Sequence, residues 1–202
     1  AFSGGKVART PAIAERTLSV HYQPQVCLTS GRVVGAEALL RWRDPELGEM
    51  PPGAFIPIAE ESGFIAAIGD WVLTEAVARA AQWHARGLRI VTAVNVSALQ
   101  FHKPDFVDRV AAVLRVSGLP PGQLDLELTE SILLQDVEHT LATVRGLKNL
   151  GVGLSIDDFG TGYSSLSYLR SFPFDKIKID RCFVDDLADA TEDSRAILRA
   201  VA

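Results

Sequence analysis

The chain has 202 residues, 48% of them hydrophobic and 22% charged, a balance that suits a folded globular protein and excludes a disordered or fibrous one. Its formal charge of −5 argues against a general nucleic-acid surface, though not against a small phosphate substrate held through metal ions. No apolar run approaches the roughly 18–20 residues of a membrane span, and the opening stretch AFSGGKVARTPAIAERTL lacks the apolar centre of a signal peptide. The first residue is not Met, so the expectation is a domain cut from a longer protein. Two cysteines far apart, Cys27 and Cys182, imply no disulfide framework and a reducing, cytoplasmic setting. The four histidines (His21, His84, His102, His139) form no zinc-type cluster.

In chain order, LSVHYQPQV (18–26) and RVVGAEALLRW (32–42) read as strands flanking a short LTSG turn, which makes them antiparallel. DWVLTEAVARAAQWHARG (70–87) is a helix: Val72, Leu73, Ala76, Val77, Ala80 and Trp83 share one face, and Gly87 caps its end. RIVTAVNVS (89–97) is β-branched and strand-like. PDFVDRVAAVLRVSG (104–118) returns to the helical period through Phe106, Val107, Val110, Ala111 and Leu114. QLDLELTE (123–130) alternates as a strand, VEHTLATVRGLKNLG (137–151) is a helix and VGLSID (152–157) a strand. SSLSYLRSF is a short helix, FDKIKID (174–180) a strand, and ATEDSRAILRAVA begins a last helix.

Six strands, the last four separated by helices, predict an α/β protein with a mostly parallel sheet. An open doubly wound sheet and a (β/α)8 barrel both fit that alternation. The polar strand ends favour the barrel. Glu37, Asn95, Glu127, Asp157 and Lys178 each lie near the end of a different strand, and a barrel brings all such ends to one face.

Glu37, Asn95, Glu127, Asp157 and Asp158 all offer oxygen, a donor set that suits magnesium or manganese and not zinc. Two such ions sharing the central carboxylates would activate a water and bind phosphate oxygens, the apparatus of phosphodiester hydrolysis. Lys178 would orient that water or offset charge at phosphorus. Taken singly, each residue has an ordinary explanation. The Asp157–Asp158 pair before FGTG reads equally as a turn or cap, Glu37 as an exposed strand carboxylate, Asn95 as a turn-former and Glu127 as simple alternation. Lys178 shares parity with Lys176 and Asp180, so alternation leaves open which lysine matters. The ensemble is stronger than its members because several independent strands end the same way. DFGTGYSSL lacks the Gly-Lys-Ser/Thr of a nucleotide-triphosphate loop and reads as a mobile gating loop with Gly160 and Gly162. Glu130, three residues beyond Glu127, either holds that loop or caps a helix. Arg41, on the face of Glu37, is a candidate phosphate clamp.

At these residues the chain resembles the EAL domain family. GAEALLRW carries the Glu-Ala-Leu signature at Glu37, Ala38 and Leu39, and YQPQV, FIPIAEESGFI, NVSALQF, LELTES, IDDFGTGYSSLSYL and FDKIKIDRCFV follow in the family's order across residues 18–202. The resemblance implies a modified TIM barrel with an antiparallel first strand. It implies hydrolysis of cyclic di-GMP to linear pGpG with two Mg2+ or Mn2+ ions. By position, the metal ligands are Glu37, Asn95, Glu127, Asp157 and Asp158. Lys178 contacts the catalytic water, so that Lys178, Glu37 and Asp157 form the catalytic set. Glu130 steadies the loop after the aspartates, and Gln23 and Arg41 touch substrate.

The family continues with two further strands, one carrying a Glu-Gly-Val-Glu stretch with another active-site glutamate and one a late glutamine near the substrate. This sequence ends at Ala202, inside the helix that precedes them. The expectation is therefore a leader or linker at 1–17 and an EAL domain at 18–202, C-terminally incomplete, with six of the eight barrel strands. The resemblance also implies fusion to sensory or cyclase domains, homodimers formed near the glycine-rich loop, and a cytoplasmic site of action, possible also in a membrane-anchored protein. The alternative is a catalytically silent module that binds cyclic di-GMP and signals through a partner. Silent members lose metal ligands or the glycine-rich loop, and all of these are present here.

Overall fold

The computed structural model describes residues 17–133, 135–159 and 172–180. Strand β1 (Leu18–Val26) pairs antiparallel with β2 (Val33–Asp44), from Leu18 opposite Trp42 to Val26 opposite Val33. The connecting turn closes through Gly31 N donating to Cys27 O (2.8 Å) and Cys27 N donating to Arg32 O (2.9 Å). Gly31 is left-handed at φ 67°, where a side chain would be strained.

Beyond the barrel rim β2 bends back on a strand that the sequence pattern does not signal, β3 (Gly48–Met50). The described residues thus hold seven strands, not six. Three residues are too short for alternation to register. The turn is instead set by Asp44 Oδ1, which accepts from both Glu46 N and Leu47 N at 2.8 Å. The six expected strands form the main path. After β2 the sheet runs parallel through β4 (Val91–Val96), β5 (Leu124–Thr129), β6 (Gly153–Phe159) and β7 (Lys176–Ile179), in the order β1-β2-β4-β5-β6-β7.

Helices fill the crossovers. Between β3 and β4 lie α1 (Pro52–Glu61) and α2 (Ile65–Ala85). Between β4 and β5 lie α3 (Ala98–Phe101) and α4 (Phe106–Ser117), and between β5 and β6 lie α5 (Glu130–Leu133) and α6 (Val137–Leu150). Helix α1 falls on the FIPIAEESGFI stretch and holds Pro57 within it. Helix α2 starts at Ile65, earlier than the expected Asp70, because Ile65 and Ile68 continue its buried face across Gly69. That glycine is a packing requirement. A Cβ there would stand 2.3 Å from Oε1 of the buried Gln100. The expected short helix at 164–172, except its last residue Phe172, the loop at 160–163 and the last helix at 190–202 lie outside the described residues.

One face of each central strand meets the helices. Val94, Leu124, Leu126, Leu128, Leu154 and Ile156 are fully buried in one core with Leu73, Ala76 and Val77 of α2, Phe106 and Val110 of α4, and Val144 and Leu147 of α6. Strand alternation then turns Asn95, Asp125, Glu127, Ser155, Asp157, Lys176 and Lys178 to the opposite, inward face. No described helix is long and apolar enough to cross a membrane.

Candidate metal and substrate site

The inward face carries its polar residues at the C-terminal strand ends. Asn95 of β4 sits in register with Glu127 of β5, and Thr129 with Asp157 of β6. Lys178 Nζ donates to Glu127 Oε2 at 2.7 Å, Asp157 Oδ2 at 2.9 Å and Glu37 Oε2 at 3.2 Å. Asn95 Nδ2 donates to Glu37 Oε1 at 3.0 Å. One oxygen from each of Glu37, Glu127 and Asp157 lies within 4.8 Å of the others. Five expected residues on five strands thus meet at one point.

Asp158 answers a question of parity. In a regular strand the side chain after Asp157 would point to the helix side. Asp158 instead takes a left-handed backbone at φ 54°, a conformation that aspartate tolerates better than most residues. The β6–β7 register shifts at this point, between Ile156 and Phe159. The kink aims Asp158 into the cavity beside the cluster, and its backbone N donates to Asp157 Oδ1 at 3.0 Å. Adjacent carboxylates therefore reach one site because the strand kinks at the second of them.

The electrostatics are those of a cation site. Three carboxylates (Glu37, Glu127, Asp157) hold the ammonium of Lys178, whose charge also acts on Asp158 beside them. Burial pushes Glu127 up to about 7, against the hydrogen bond and charge of Lys178, with Glu37 and Asp157 adding repulsion. Burial and then the Asp157 and Asp180 carboxylates raise Asp158. Burial opposes the charge on Lys178, but its bonds to Glu127 and Asp157 outweigh it and hold its pKa above the ordinary lysine value. The oxygen donors, their spacing and the excess negative charge fit hard divalent ions, and the ammonium among them shows that the cluster accepts positive charge.

Beside the cluster opens a cavity of about 460 Å³. Arg41, Asn95, Asp158 and Glu60 supply its polar rim and Leu40, Ile56, Ile65 and Ile68 its apolar wall. Arg41 lines it while Nη1 donates to Leu40 O at 2.8 Å. Gln23 of β1 is exposed and lies opposite Glu37 in register. Glu130 is buried at the first residue of α5, and the loop it is expected to steady lies outside the described residues. Sequence reasoning missed the cavity walls. Glu60 and Ile56 come from α1, whose period is obscured by Pro57, and Ile65 and Ile68 from the unread first turn of α2. A larger groove of about 620 Å³ runs between α2 and α4 on the outside, but no ionisable side chain lines it.

The EAL domain family model matches residues 7–202. The chain is 52% identical over 189 residues to an uncharacterized signaling protein of Caulobacter vibrioides, across 94% of this chain and 23% of that one. It is 45% identical over 192 residues to MucR of Pseudomonas aeruginosa, named a bifunctional diguanylate cyclase/cyclic di-GMP phosphodiesterase, across 95% of this chain and 28% of that one. The chain thus spans about a quarter of the length of these curated relatives. The solved PaMucR phosphodiesterase in complex with c-di-GMP superposes with a TM-score of 0.89 at 45% identity, over 95% of this chain and 77% of that one. The same architecture, a (β/α) barrel modified by an antiparallel first strand, carries both. Matched by the family's model along nearly its whole length and by relatives at such identity, the chain belongs to the EAL domain family.

Proposed function

We propose that this chain hydrolyses cyclic di-GMP to linear pGpG with two Mg2+ or Mn2+ ions. The observation that carries the reading is the convergence of Glu37, Glu127 and Asp157 on the ammonium of Lys178, with Asn95 and Asp158 beside them. Glu37, Asn95, Glu127, Asp157 and Asp158 would hold the metals. Ions bound there supply a water of lowered pKa and neutralise phosphate oxygens. Lys178 keeps its proton at neutral pH, so it serves as a hydrogen-bond donor that orients the attacking water and offsets charge gathering at phosphorus. Arg41 clamps a phosphate from the cavity rim, and Gln23 binds substrate from β1. The apolar wall of Ile56, Ile65 and Ile68 takes a base and excludes water. Glu130 steadies the loop that follows the aspartates.

The relative MucR is named bifunctional and is far longer than this chain, which supports a place within a larger signalling protein. Within it we place the domain on the cytoplasmic side, as a homodimer. The test is turnover of cyclic di-GMP with Mg2+ or Mn2+, with and without chelator, followed by chromatography of the products. Metal-dependent pGpG supports the reading. Tight binding without turnover refutes it and makes the domain a receptor.

A further inference from the structure

A second polar layer lies one residue pair below the carboxylate cluster on the same inward face. Asp125 of β5 is 1% exposed in its side chain. Its Oδ2 accepts from Ser155 Oγ of β6 at 2.8 Å and from Lys176 Nζ of β7. Its other oxygen, Oδ1, is buried with no partner among the described residues, and Gly153 makes room for it: a Cβ there would stand 2.9 Å away. The Lys176 side chain is 48% exposed, yet its ammonium reaches the buried carboxylate.

This layer repeats the one above. Lys176 to Asp125 and Lys178 to Glu127 both run from β7 to β5 across the intervening β6, and each pair is separated by 51 residues in sequence. Layers built from alternate strands are how a barrel fills its interior. The strand is four residues long and matches β6 at three Cα pairs, with a register shift between the second and third. Its start is tied to β6 by Asp175, whose N donates to Leu154 O at 2.9 Å and whose Oδ2 accepts from Leu154 N at 2.8 Å, but beyond the shift the ladder leaves the height of Lys178 to side-chain contacts. A slip of one residue would turn Lys178 away from the carboxylates to the helix side.

We propose that Asp125, Ser155 and Lys176 form a register clamp that positions Lys178 in the catalytic cluster. Lys176 and Asp125 are positioning residues: they act on turnover only through where Lys178 Nζ stands. This also assigns separate roles to two lysines of equal parity. Lys176 is held by the lower carboxylate, and Lys178 is the one delivered to the site.

The proposal rests on the phosphodiesterase reading for its kinetic test, so a second readout needs no turnover. In steady-state assays with Mn2+, Lys176→Met lowers kcat about 10- to 100-fold at unchanged KM, the scale of a misplaced catalytic group. Lys176→Arg, which can still reach Asp125, restores kcat to within about threefold. Placed in a Lys178→Met background, Lys176→Met changes kcat less than about twofold, because nothing remains to be positioned. An unchanged kcat in Lys176→Met, failure of the arginine rescue, or the same loss in the Lys178→Met background overturns the clamp. In thermal unfolding with chelator, the Tm effects of the two methionine variants depart from additivity by about 2 °C or more. Additive effects overturn the clamp whether or not cyclic di-GMP is turned over. Non-additive effects in a parent protein without turnover support the clamp and discard the phosphodiesterase reading alone.

Discussion

Glu127 should cost the metal-free protein stability that its neutral mimic returns. Its carboxyl is almost wholly buried and its pKa is pushed from 4.5 up to about 7. Because the folded-state value lies above the unfolded one, the folded chain binds more protons between those two pH values. Stability therefore falls as pH rises from about 4.5 to about 7 and is flat on either side. A shift of that size corresponds to about 3 kcal/mol, at about 1.4 kcal/mol per pKa unit. Glu127→Gln imitates the protonated form and can still accept from Lys178. In urea denaturation with chelator, the variant should match the parent near pH 4.5 and exceed it by about 2–3 kcal/mol at pH 8. Divalent metal should close most of that gap. The parent gains about 2.7 kcal/mol at a metal concentration 100-fold above Kd, and the variant gains less because a ligand is gone. A variant less stable than its parent at pH 8 in chelator, or a difference that does not move with pH, would refute the account of Glu127 as a strained metal ligand.

Metal affinity itself should rise with pH, up to about tenfold per unit below pH 7, as the Glu127 proton must leave before a cation binds; calorimetry in buffers of different ionisation enthalpy would also detect the released proton. Lys178→Met should split two properties, lowering kcat about 10²–10³-fold while tightening Mn2+ binding, since the ammonium competes with metal for the same three carboxylates; weaker Mn2+ binding in the variant would contradict that competition. Glu37→Ala should abolish hydrolysis with circular dichroism unchanged, and turnover near the parental rate would remove Glu37 from the metal site. Gly69→Ala should lower stability by about 1 kcal/mol or more despite alanine's better helix propensity, because Gln100 is 1% exposed and tied to Asp70 Oδ1 at 3.0 Å; a higher Tm would show that Gln100 can move aside.

Much of the site was legible in the chain because strand alternation is local. Glu127 between Leu126 and Leu128 had to face away from the leucines, and the leucines had to face the helices. The antiparallel first pair followed from the brevity of the LTSG link. Strand β3 was not legible, since it exists through the two bonds to Asp44 Oδ1 and not through any pattern of its own. Nor was the first turn of α2, where Gly69 is required by the packing of Gln100, a contact visible only in the fold.

By itself, then, the sequence determined which residue types stand at the strand ends, and so the hard-oxygen character of the site. Alternation left open which of Lys176 and Lys178 meets Glu127, and whether both members of the Asp-Asp pair, which the resemblance assigns to the site, face one place; the tertiary structure decided both placements. The reason is physical: parity gives a side chain its face, but not its height. Height is set by register across β6 and by the left-handed turn at Asp158, and both depend on partners far away in the chain.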